Sequence, residues 1–220
     1  MQCPYCQAEI QDGSTRCSRC GSAIAANASS AAPAAAAYQS SFGDQFNAAL
    51  IIWKMNLGDL AVLSLVLLLL IWIPIANIGL IAGYTRAILK VGRGEGRAEI
   101  GDLFNAWDCF GNLLVYAVLF FVASMIVGMV PLIGPLASAA LGFVAFPGFY
   151  LIIDRKANFG DAIKWSLATI QAKPIDWLLT YIVGMVVSGI GTLLLFIGVI
   201  LTMPLGVLVC NQQYENSKPA

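Results

Sequence analysis

Three long stretches of this chain carry no charged residue: 60–85, 109–153 and 177–214. Nearly every lysine, arginine, aspartate and glutamate falls in the segments between and before them, at 1–59, 86–108 and 154–176. About 20 consecutive apolar residues suffice to carry a helix through the hydrocarbon core of a bilayer. Soluble domains hold roughly a quarter of their residues charged, whereas here charged residues make up 11% and hydrophobic ones 59%. The expectation is an all-α polytopic membrane protein. The charges balance at 12 basic and 12 acidic, so no net field favours nucleic acid. The chain has no histidine, which removes the commonest general base and nitrogen ligand. Serine–histidine and cysteine–histidine nucleophile systems are thereby excluded within it.

The lengths of the apolar runs set the topology. Stretch 109–153 is 45 residues long, enough for two spans, with Val130-Pro131-Leu132-Ile133-Gly134-Pro135 as the turn. Stretch 177–210 is too long for one span and slightly short for two, and Ser188-Gly189-Ile190-Gly191 marks its middle. The first run, 57–91, forms a hairpin turning at Pro74-Ile75-Ala76-Asn77 if Arg86 and Lys90 snorkel from its last turns. A single span kinked at Pro74 is the competing reading. It would send Arg86, Lys90, Arg93 and Arg97 to the side opposite the N-terminus. Three hairpins instead place every lysine and arginine on one side. The positive-inside rule then favours six spans with both termini cytoplasmic. Some spans would be short, so tilt is small or the bilayer locally thin.

An internal repeat runs through the same region. Gly43-Asp44-Gln45-Phe46-Asn47-Ala48 recurs as Gly101-Asp102-Leu103-Phe104-Asn105-Ala106, and more weakly as Phe159-Gly160-Asp161-Ala162-Ile163. Trp53, Trp107 and Trp165 follow the three Gly-Asp pairs, and an apolar run comes after each. Three repeats are therefore expected, at 42–100, 101–158 and 159–214, with a tail at 215–220. Each Gly-Asp stretch reads as a short amphipathic helix, its aspartate an N-cap or first-turn charge. Phe42, Phe46, Ala49, Leu50 and Trp53 share one face, as Ile163, Trp165, Leu167 and Ile170 do more loosely. Such helices either lie in the membrane interface or simply begin the next span, and the pattern does not separate the two.

Within the spans little chemistry is offered. No ionisable residue falls at mid-membrane, the position where one would mark a functional site. Asp59, Asp108, Asp154 and Asp176 fall at span ends and read as solvated caps. Ser64, Asn77, Ser124, Ser138, Thr180, Ser188, Thr192 and Thr202 read as backbone or interhelical bonding groups. Gly128, Gly142, Gly184, Gly191 and Gly198 read as close-packing positions, and Cys109 and Cys210 as small apolar packing residues. Arg93-Gly94-Glu95-Gly96-Arg97 lacks the strand–loop–helix setting of a phosphate loop and reads as a cytoplasmic turn.

The N-terminal 21 residues differ in kind. Cys3 and Cys6 form one C-x-x-C and Cys17 and Cys20 another, with Asp12-Gly13 between them as a hairpin turn. Two such knuckles complete a tetrahedral S4 site, and a module this small depends on its metal to fold. Two disulfides, a rubredoxin-like iron site and a thioredoxin-like redox pair are the alternatives. The first needs an oxidising compartment, the second usually a wider spacing, and the third a βαβ context. Residues 22–41, with ten alanines and Pro33, read as a flexible linker with a reach of about 25 Å if it is coil.

Cys3-Pro4-Tyr5-Cys6 and Cys17-Ser18-Arg19-Cys20-Gly21 resemble the short zinc ribbons that open many bacterial and archaeal membrane proteins, with Gln7 and Ser18 in place of a glycine and a proline. The resemblance implies a structural Zn²⁺ held by Cys3, Cys6, Cys17 and Cys20. Over 42–214 the pattern is similar to uncharacterised bacterial six-helix integral membrane families, which implies a fold but no activity. The sequence thus leads to six transmembrane helices in three hairpin repeats, interfacial amphipathic helices and an N-terminal zinc ribbon. The expected role is non-enzymatic: a membrane scaffold or accessory subunit whose ribbon docks a protein partner. Besides that partner it contacts the lipid bilayer, binds no nucleic acid and is compatible with an oligomer. A small transporter or channel for a neutral or lipid-like substrate is the second reading.

Overall fold

A computed structural model describes residues 41–131 and 133–219. The ribbon with its four cysteine ligands, and the linker before Ser41, lie outside the described residues. Eight α-helices follow in order: α1 (Phe42–Met55), α2 (Leu57–Leu70), α3 (Ala76–Gly92), α4 (Phe110–Gly128), α5 (Gly134–Arg155), α6 (Phe159–Ala172), α7 (Pro174–Ile190) and α8 (Leu195–Ser217). Two 3-10 helices, Ile100–Phe104 and Trp107–Cys109, precede α4, and a third, Gly191–Leu194, joins α7 to α8. The described residues contain no strand.

Among the described residues, length and apolarity single out two helices able to cross a membrane. The segment Ile100–Gly128, which ends in α4, has a mean hydropathy of 2.3, and α5 has 2.0. The number rises to four if α1–α2 and α6–α7 each count as one broken span. Those pairs bend sharply, by 86° at Asn56 and 107° at Lys173.

Pro74 ends a helix instead of kinking one. α2 and α3 pack on each other, and the Ser64 and Tyr84 hydroxyls share a 2.7 Å hydrogen bond nearly symmetric about the turn. Leu60, Leu63 and Leu67 meet Leu80 and Ile88 in one buried cluster. The chain therefore doubles back at the first turn, as it does between α4 and α5 and between α7 and α8. Ile75 sits in that turn with φ of 67°, a left-handed conformation that a β-branched residue adopts only under strain.

The three Gly-Asp stretches start alike and continue differently. Asp44 accepts from the Ser41 backbone N–H at 3.3 Å, and Asp102 accepts from that of Glu99 at 3.0 Å. Asp161 accepts from the Asn158 amide at 2.7 Å and donates its own N–H back to that side chain. Each aspartate thus closes a first turn, satisfying donors that a helix start leaves free. After the first and third copies comes a 14-residue α-helix. The second copy departs from the expected amphipathic helix and makes the 3-10 pair. It lies directly on α3, where a Cβ at Gly83 would collide with the Leu103 carbonyl. The short approach to α4 leaves no length for a full α-helix.

The buried faces also shift from those expected. In α1 the fully buried stripe is Gln45, Ala48, Ala49 and Ile52, with Phe42, Phe46 and Trp53 packed at its margins. In α6 it is Ala162 and Ser166, while Leu167 is exposed. Small side chains face the neighbouring helix because they permit close approach, and the rings fill the edges.

A cyclic order emerges from these contacts. α1 packs on α8, the 3-10 pair on α3, and α6 on α5. Each Gly-Asp element thus leans on the last helix of the preceding hairpin, with the first leaning on the third. Two of these contacts use the same device. Pro147 lies inside α5 and Pro204 inside α8. Three residues before each, the carbonyls of Val144 and Leu201 accept bonds from Ser166 of α6 and Trp53 of α1. Each proline removes one backbone donor from its helix, and these bonds tie the neighbouring turn to the Gly-Asp element.

Candidate functional site

Several charged residues of the helical body meet where the ends of α3, α5 and α8 come together. Helix α3 carries Arg86 and Lys90, and Arg93 caps its C-terminus, at spacings of four and three that align them on one face. The Arg86 guanidinium donates to the Asn105 carbonyl at 2.6 Å, to Asp108 at 2.8 Å and to the Ile153 carbonyl at 2.7 Å. It therefore ties α3 to the 3-10 pair and to α5. Lys90 reaches Asp102 at 3.1 Å, so the aspartate that caps the 3-10 turn also holds it against α3. Asp108 takes a second cation, Lys156, at 2.8 Å.

Arg93 closes the centre of this end. Its guanidinium lies 2.8 Å from Asp154 of α5 and 2.7 Å from Glu215 of α8. The Tyr214 hydroxyl donates to the other Asp154 oxygen at 2.8 Å, and Lys218 pairs with Glu215. Burial works against the Arg93 charge, but hydrogen bonds and fields from Asp154 and Glu215 outweigh it and raise its pKa. Arg93, Asp154 and Glu215 stand at equal intervals along the chain, one on the last helix of each hairpin. Their union brings those three helix ends to the same level.

Asp108 and Asp154, expected as solvated caps, are instead ion-paired with groups from other helices. Arg86, expected to snorkel outward, turns sideways to Asp108, and Arg93 at the end of α3 reaches Asp154. Asp59 makes only a longer 3.7 Å pair with the exposed Arg97. Asp176 remains in the first turn of α7, where its charge suits the helix dipole. Cys109 and Cys210 are both buried. The Cys109 thiol donates to the Ala106 carbonyl at 3.2 Å, and a Cβ at Gly184 would sit 2.6 Å from the Cys210 sulfur. Both cysteines pack, as their setting predicts.

Beside this network lies an open cleft of about 220 Å³, lined by Arg86, Ala87, Lys90, Arg93, Glu95, Asp102 and Asn105. The loop Arg93-Gly94-Glu95-Gly96-Arg97 forms one wall, with Gly94 at φ 71° and Gly96 at φ 148°, values that glycine adopts without strain. Among the described residues no group of three or more cysteines, aspartates or glutamates is placed to hold a metal ion. Sequence reading overlooked the Arg93–Asp154–Glu215 triad because the three positions differ in residue type. Their equal spacing along the chain is the one signal that could have aligned them. No family model, curated protein or solved structure matches the chain.

Proposed function

We propose that the chain is a non-enzymatic membrane scaffold of six spans, arranged as three hairpins of a threefold repeat. Its charged end faces the cytoplasm, and an N-terminal zinc ribbon held by Cys3, Cys6, Cys17 and Cys20 docks a protein partner there. One observation carries the reading. Arg86, Arg93, Asp108 and Asp154 are engaged with one another's helices, so the charges at this end serve as ties between hairpins. Meeting in one network also requires the ends of α3, α5 and α8 to share a side, as three hairpins do. The shared capping geometry of Asp44, Asp102 and Asp161 and the cyclic packing of the Gly-Asp elements support the triplication.

The test compares neighbours cross-linked in cells to the intact protein and to a Cys3→Ser, Cys6→Ser variant, with zinc content measured on both purified proteins. The expected result is one zinc per intact chain, none in the variant, and a neighbour lost only in the variant. An unchanged set of neighbours, or zinc retained without those thiolates, would overturn the docking role.

A further inference from the structure

The cleft at the charged end has a mixed lining that is unusual for a lipid-contacting surface. Basic clusters that attract anionic lipids are rows of uncompensated lysines and arginines. Here Arg86, Lys90 and Arg93 stand with two carboxylates, Glu95 and Asp102, and the Asn105 amide. The cations are not equally committed. Arg86 spends its donors on two carbonyls and Asp108, and Arg93 on two carboxylates. The Lys90 ammonium has three donors and one acidic partner, Asp102, at 3.1 Å and 3.4 Å. The Glu95 side chain is exposed and makes no hydrogen bond or ion pair among the described residues. The cleft therefore presents one under-used cation and one unpaired carboxylate within a single concavity. The 3-10 pair that supplies Asp102 and Asn105 also carries Ile100, Phe104 and Trp107, each about half exposed.

We propose that this cleft binds a phosphodiester bearing a primary ammonium arm, the headgroup chemistry of phosphatidylethanolamine. The phosphate sits against Lys90 in the field of Arg86 and Arg93, and the ammonium donates to Glu95. A purely anionic headgroup would leave Glu95 facing a like charge. A choline headgroup carries its positive charge without an N–H to donate. The lipid source rests on the membrane reading above, whereas the recognition chemistry does not.

The experiment is native mass spectrometry of the full chain released from detergent. It is exposed in turn to phosphatidylethanolamine, phosphatidylcholine and phosphatidylglycerol, and to soluble glycerophosphoethanolamine. Retention of phosphatidylethanolamine over phosphatidylcholine by about tenfold is expected, the scale of a charge-assisted hydrogen bond lost. Lys90→Gln should weaken both phospholipids. Because Lys90 also steadies the 3-10 pair, Glu95→Gln is the decisive variant: it touches no structural partner and should abolish the preference while leaving thermal stability unchanged. Equal retention of the two zwitterionic lipids, or a preference that survives Glu95→Gln, would overturn the proposal, as would tighter binding of phosphatidylglycerol. Equal binding of glycerophosphoethanolamine would overturn the lipid source. A chain that fractionates away from membranes would instead sink the membrane reading, with the soluble arm still reporting on the cleft.

Discussion

The same helices build two ends of opposite chemistry. At one end Arg86, Lys90, Arg93, Asp102, Asp108, Asp154 and Glu215 lock α3, α5, α8 and the 3-10 pair together. At the other, the turns present Trp72 at 80% exposure, Met129 at 77% and Leu136 at 75%, without a charged residue in reach. In water an apolar rim of that kind would drive association, whereas in a bilayer it needs no cover. The charged end obeys the reverse rule. Partly buried charges there are tolerable only because each has a partner of opposite sign. The contrast sets pairing of charges at one end against exposed apolar side chains at the other.

Removing one member of the charged lock should have the largest effect. Arg93→Met strands Asp154 and Glu215 together and should cost about 3 kcal/mol of stability, in the range for breaking a shielded ion pair. The exposed Arg97, 3.7 Å from Asp59, is the control, and Arg97→Met should change stability by less than about 0.5 kcal/mol. Denaturant unfolding in detergent micelles reads both, and equal costs would erase the distinction between lock and surface pair. Next comes the seat of the 3-10 pair on α3. Gly83→Ala should cost about 2 kcal/mol by forcing the Leu103 carbonyl away, and a neutral result would mean that contact is slack.

The turn end should respond in the opposite direction. Ile75 holds φ of 67°, so Ile75→Gly should raise stability by about 1 kcal/mol, seen as a higher unfolding midpoint. A loss would show that its apolar side chain outweighs the backbone strain. The smallest change is expected at the first cap, where Asp44→Ala should cost about 0.5 kcal/mol. The same substitution at Asp102 should cost more, because Asp102 also pairs with Lys90.

What the sequence made legible follows from periodicity and punctuation. Charge-free runs located α4 and α5, and Pro74 and Pro131–Pro135 located two of the turns, because apolarity and proline act locally. The Gly-Asp pairs located the helix starts for the same reason. The divergence of the second copy was hidden, since it depends on Gly83 standing opposite Leu103, a contact between distant parts of the chain. The ion triad was hidden too: Arg93, Asp154 and Glu215 stand at equal intervals along the chain and differ in residue type. Charges at span ends were therefore readable as charges, but their partners were set by how the hairpins lean on one another.

The opposition of the two ends is tested most directly by cysteine accessibility in intact cells. Asn77→Cys and Met129→Cys, introduced separately, should react with a membrane-impermeant maleimide added outside, while Glu95→Cys should react only after permeabilisation. Labelling of Asn77→Cys and Glu95→Cys from the same side would contradict the three-hairpin arrangement and the placement of the charged end that depends on it.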